Sequence, residues 1–230
     1  MAEHVLQGDP DIAVTLRRNA RARRMTLRIS QLDGRVTLTA PPSVSTREAF
    51  GFAREKEPWI RSHLAARPDV VEIGMGSVIP IEAQPHVIAP ATGRAIRATG
   101  TALEVPGRPE TAPRRVLGYL KARSRDRLVA ACDHYAGRLG LAYSGISIRD
   151  TRSRWGSCSS AGRLMFSWRL ILAPPEVLRY VAAHEVAHLA QMNHSPAFWA
   201  EVTRIHGPYD GMRRWLRTEG NALHRYRFGD

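Results

Sequence analysis

The stretch Tyr180-Val181-Ala182-Ala183-His184-Glu185-Val186-Ala187-His188, with His194 six residues further on, decides how this chain is read. Residues four apart share one face of a helix, so His184 and His188 point the same way. Val177 and Val181 precede them on that face, which makes the two imidazoles the continuation of an apolar stripe. Burying two imidazoles there without partners is costly; a metal ion is a partner that both can share. Glu185, adjacent to the first histidine, then reaches a water held by the same ion.

The punctuation around the stretch supports a helix with a sharp exit. Pro174-Pro175-Glu176 places a proline and an acid in the first turn. Gln191-Met192-Asn193 reads as the way out, Asn193 tolerating left-handed geometry. Ser195-Pro196 then caps and opens a second helix. His194 sits on the corner between the two helices, where it can fold back as a third ligand. The pattern is the H-E-x-x-H motif. With nine His in 230 residues, about 0.02 chance matches are expected. Three neutral histidines with one open position form the ligand set of a catalytic zinc, which lowers the pKa of water in that position toward ~7. Two plainer readings compete. A satisfied core histidine pair leaves Glu185 and His194 without a role. A structural zinc needs a fourth protein ligand, and Cys158 is the obvious candidate.

The rest of the composition sets bounds. A chain of 230 residues, 43% hydrophobic, can bury a sizeable core in one or two domains. Met1–Pro10 is short, polar and acidic, unlike a secretory leader, and no run approaches the ~18 apolar residues of a membrane span. The expectation is a soluble, cytoplasmic protein with no membrane partner. Cys132 and Cys158 suggest no disulfide framework. The net charge is +13 with a pI near 11.0, and all but Lys56 and Lys121 of the 34 basic residues are Arg. Such a field favours anionic partners, and the excess is larger in the second half. Arg17, Arg18, Arg21, Arg23, Arg24 and Arg28 fall in one window without an acid. That window reads as a phosphate-binding ribbon or, preferably, as a solvated hairpin, since no aromatics interleave it.

Alternation predicts strands over 12–16, 25–29 and 35–39, with an Asp33-Gly34 hairpin turn between the last two. Ser45 and Glu48 have capping-box spacing and Pro58 divides the following helical stretch, so helices are expected over 46–56 and 58–66. Weaker strands are expected over 70–73, 78–82, 86–89, 94–98 and 102–105, in an antiparallel sheet. The proline-rich segment 106–113 marks the expected boundary between domains 1–108 and 109–230. A long helix over 114–138 follows, then strands over 146–149 and 164–167 around a turn at 159–162, the metal helix, and helices over 196–206 and 210–219.

Arg154-Trp155-Gly156-Ser157-Cys158, Trp168-Arg169-Leu170-Ile171, Pro174, Tyr180-Val181 before the motif, Asn193-His194-Ser195 and Phe198-Trp199 together resemble the YgjP-like metallopeptidase family, which is similar to the SprT-like and WLM-type zincins. The resemblance is most specific from Arg154 to Trp199 and extends over most of the chain. It implies an α+β fold: a small antiparallel β-rich amino-terminal domain, then a zincin-like α+β catalytic domain in which a strand runs beside the H-E-x-x-H helix. It implies Zn2+ on His184, His188 and His194, with Glu185 catalytic. Metzincins share the spacing to the third histidine, but Gln191 stands where they carry glycine, so that assignment is set aside.

On this reading Glu185 is the general base of a zinc-dependent metallopeptidase acting on a peptide or protein substrate. Arg154, Trp155 and Ser157 are candidate substrate-binding residues, on a segment where an extended substrate can pair through its main chain. Arg154, His206 and Tyr209 are candidates for the oxyanion donor. The alternatives are a metal-dependent nucleotide pyrophosphohydrolase acting on nucleoside triphosphates, against which stands the lack of a phosphate loop, and a nucleic-acid-associated SprT-like protease. Oligomeric state is not legible.

Overall fold

The computed structural model describes residues 2–30, 33–66 and 69–229. The chain divides into two compact units, Met1–Asp69 and Val70–Asp230.

In the first unit, β1 (Ala2–Leu6), β2 (Ile12–Arg18), β3 (Thr26–Ile29) and β4 (Val36–Ala40) form a sheet in the order β1-β2-β4-β3. Alternation puts Ile12, Val14 and Leu16 of β2 and Val36, Leu38 and Ala40 of β4 on one buried face. The helices α1 (Thr46–Glu55) and α2 (Glu57–Ala65) complete this core with Ala49, Phe50, Ala53 and Ile60. Ser45 caps α1, its Oγ accepting from the Glu48 N–H at 3.1 Å, and Pro58 lies in the first turn of α2. Strand β3 meets β4 antiparallel, with Gly34 at φ 72°; residues 31–32 of this connection lie outside the described residues. Arg18 is structural: its guanidinium donates to the carbonyls of Pro41 and Val44 and to Thr46 Oγ1. The other five arginines of the basic window are exposed.

The second unit opens with β5 (Val71–Glu72), then β6 (Val78–Ile81), β7 (Gln84–Ala91), β8 (Arg97–Thr99) and β9 (Ala102–Pro106), the last four in the order β6-β7-β9-β8. The long α3 (Ala112–Leu139) ends on Gly140 in the left-handed region, φ 78°. Then come β10 (Gly145–Arg149), β11 (Gly156–Cys158) and β12 (Arg163–Ser167), in the order β10-β12-β11, and a 3₁₀ segment over Trp168–Leu172. The chain finishes with α4 (Pro175–Ala187), α5 (Pro196–His206), α6 (Asp210–Thr218), a 3₁₀ turn over Gly220–Arg225, and β13 (Tyr226–Arg227), which pairs in parallel with β5.

The α+β class holds, with two corrections. Each four-stranded sheet is mixed, not antiparallel: the central pairs β2–β4 and β7–β9 are parallel. The compact division falls between Asp69 and Val70, not at the proline-rich segment. Those prolines start α3, a 3₁₀ turn over Pro109–Thr111 leading into Pro113 in its first turn. Ile79, Ile81, Ile88, Leu103 and Val105 of the sheet share one core with Val116, Leu120 and Leu128 of α3 and with α4.

The β6–β7 turn carries an ion-pair anchor. Glu82 and Ala83 both have positive φ, 52° and 63°, positions that favour glycine or asparagine. The Glu82 N–H donates to Ile171 O at 2.7 Å, and the Glu82 carboxylate accepts from Arg127 Nε at 2.6 Å and from Arg123. Burial pushes the Glu82 carboxyl up, but Arg127 and Arg123 outweigh it and hold it below the usual range. A depressed folded-state pKa stabilises above the ordinary carboxyl range and loses that contribution as pH falls through it. Glu82→Gln is therefore expected to destabilise by about 1–3 kcal/mol at pH 7, with the deficit shrinking toward pH 3. Denaturant midpoints at both pH values check this.

Candidate metal centre

Helix α4 brings His184 and His188 to one face, while Val177, Val181 and Val186 are buried in the core. The helix ends at Ala187, earlier than its sequence punctuation suggests, with His188 itself as C-cap. The exit is tight: the Leu189 and Ala190 N–H groups donate to Val186 O and Ala187 O at 2.9 and 3.1 Å. This turn returns Gln191 O to within 2.9 Å of His188 Nδ1. A ring nitrogen facing a carbonyl must carry the proton, so Nε2 of His188 presents its lone pair. Beyond the turn, Asn193 Oδ1 accepts from the Ser195 N–H and Ser195 Oγ accepts from the Phe198 N–H. These two bonds fix the corner that carries His194 back to α4.

The result is a cluster in which ligand atoms of His184, His188 and His194 all lie within 4.8 Å of one another. Nε2 of His184 and Nε2 of His194 are 3.1 Å apart. Two imidazole nitrogens around one tetrahedral zinc at 2.0–2.1 Å would stand ~3.3 Å apart, so the donor set fits such an ion. Burial pushes His184 down to about 3, with His188, His194 and Arg213 adding to the effect. Burial lowers His188 as well. Neutral rings are the ligating form. Phe198, fully buried, packs against all three: it stacks on His188 at 4.4 Å and meets His184 and His194 edge-on at 4.9 and 4.8 Å.

Strand β11 packs beside α4. Gly156, Ser157 and Cys158 line a cleft of about 260 Å³ with the three histidines, Glu185 and Met192. Glu185 is only 6% exposed. Burial pushes its carboxyl up to about 8, against the opposing charge of Arg154, which suits a group that takes and returns a proton near neutrality. Gly156 makes room for it. A Cβ built there would stand 2.6 Å from both Cγ and Oε1 of Glu185. Gly156 has no positive φ, so the position calls for space and not for glycine's conformational freedom. This close approach joins residues 29 apart in sequence and has no local signature.

The structure separates the other candidates. Ser157 lines the cleft. Arg154 is exposed outside its lining, near enough for its charge to act on Glu185. Trp155 turns instead toward the C-terminal segment, 5.3 Å from the His224 ring and close against Gly220. Cys158 lines the cleft, but the close set of donors among the described residues is the three histidines without it. His206 packs on Tyr135 and Tyr180, and Tyr209 stacks on Tyr180 and Trp199; neither lines the cleft. A larger hollow of about 610 Å³, bordered by Arg127, His134, Tyr135 and Arg179, contains none of the three histidines.

A family model described as "YgjP-like, metallopeptidase domain" matches residues 23–219. No curated protein matches the chain. The crystal structure of the metallopeptidase zymogen of Pyrococcus abyssi abylysin is similar over 40% of this chain and 95% of that one, at 21% identity and a TM-score of 0.37. No helix among the described residues is long and apolar enough to cross a membrane.

Proposed function

Since the chain belongs to the YgjP-like metallopeptidase family, and is thus a metal-dependent hydrolase, we propose that it hydrolyses peptide bonds with a zinc ion on His184, His188 and His194 and with Glu185 as general base. The observation that carries this reading is the convergence of three imidazoles on one point beside a buried carboxyl in an open cleft. Zinc in that position lowers the pKa of water and polarises a carbonyl.

The chain's own residues do the rest. Glu185 accepts a proton from the attacking water and returns it to the leaving amine. Gly156 leaves the carboxyl the space it occupies. Among the described residues β11 is an edge strand, paired on its β12 side alone, so its free main-chain groups suit pairing with an extended substrate. Ser157 lies on that strand. The Gln191 carbonyl and the Phe198 ring hold the histidines in their ligating orientation.

His194→Ala is expected to weaken zinc by about 10²-fold or more in a chelator competition; unchanged affinity would place the third ligand elsewhere. Incubation with a casein-type substrate and with nucleoside triphosphates, each with and without chelator, tests the reaction class. Chelator-sensitive peptide cleavage is expected, and phosphate release without it would favour the phosphoanhydride alternative.

A further inference from the structure

We infer that Arg213 reads a carboxylate on the substrate, which makes the cleft selective for peptides carrying an acidic side chain or a free C-terminus near the scissile bond. This rests on the peptidase reading above.

Arg213 lies on α6, whose half-buried Met212, Trp215 and Leu216 pack against the core while Arg213 itself is exposed. Its guanidinium carbon stands 4.8 Å from the centroid of the Trp199 ring. Trp199 in turn stands against the metal cluster, its ring 5.6 Å from that of His184 and 5.7 Å from that of His194. Tyr209 stacks on the same indole at 5.3 Å and 23°. One indole therefore separates the guanidinium from two of the three histidines, and aromatic stacking holds that indole in place.

A guanidinium over an indole is restrained by its face and keeps its N–H edge for a partner. Arg213 makes no ion pair among the described residues, not even with Asp210 one turn before it. Its N–H edge is thus open to a partner from solvent. The planar fork matches a carboxylate in two parallel bonds. An extended peptide advances about 3.3 Å per residue, so the carboxylate it meets lies within roughly three residues of the bond being cut.

The test uses the zinc-loaded full chain and paired peptides that differ by Glu or Gln at each position within three residues of the cleaved bond, with amidated or free C-termini. Glu-over-Gln pairs report a side chain, and free-over-amidated pairs report the C-terminal group. Wild type is expected to favour one carboxylate by roughly tenfold in kcat/KM, less at high salt. That ratio is expected to fall toward one in Arg213→Ala and to be partly kept in Arg213→Lys. Binding of the same peptides to Glu185→Gln protein, read by fluorescence anisotropy, is expected to give the same ranking without turnover. A wild-type ratio near one, or a ratio kept in Arg213→Ala, overturns the inference and leaves the peptidase reading standing. No cleavage and no binding of any peptide sinks both.

Discussion

Glu185→Gln is expected to lower kcat on a peptide substrate by about 10³-fold or more while the protein keeps its metal ion. The two side chains have nearly the same shape, so the change removes the proton-accepting oxygen and little else. Glu185 contributes no atom to the three-histidine cluster, which is why metal content and turnover should separate. A stability control accompanies the assay. The Glu185 carboxyl is raised to about 8 by burial. A carboxyl raised in the folded state costs stability progressively as pH climbs from its ordinary range through the folded-state value. Metal-free Glu185→Gln should therefore melt above metal-free wild type at pH 8 and level with it at pH 4. Full turnover in the variant would remove Glu185 from the mechanism.

Gly156→Ala is the second large effect. The added methyl would stand 2.6 Å from Glu185 Cγ and Oε1 and 2.8 Å from Cδ. The side chain it meets is 94% buried by its 6% exposure, so either the carboxyl or β11 must shift. A displacement of about 1 Å at a reacting group costs on the order of 10²-fold. The loss should appear in kcat with zinc affinity nearly unchanged, since the histidines ride on α4 and the corner after it. Activity close to that of wild type would show that Glu185 has room to spare.

Legibility followed the range of the interactions. Helix α4 and the corner that returns His194 to His184 and His188 could be read because they rest on local facts: a four-residue spacing, a proline-rich start, a Ser195-Pro196 cap. The α1–α2 break just before Pro58 and the end of α3 at Gly140 were legible for the same reason. The parallel pairing of β2 with β4 and of β7 with β9 was not, because alternation reports a buried face and says nothing of strand direction. β11 is three residues long and too short for any periodicity. Reading Pro106–Pro113 as a linker confused a helix start with a boundary, since proline serves both. The clearance that Gly156 gives Glu185 and the seat of Arg213 on Trp199 depend on tertiary packing alone.

X-ray absorption at the zinc edge on the purified chain, with metal content measured on the same sample, tests the central claim most directly. The account predicts one zinc per chain with a first shell of three imidazole nitrogens and a light-atom ligand, all near ~2.0–2.1 Å. A sulfur scatterer near ~2.3 Å, placing Cys158 on the ion, or protein that takes up no divalent metal, would contradict it.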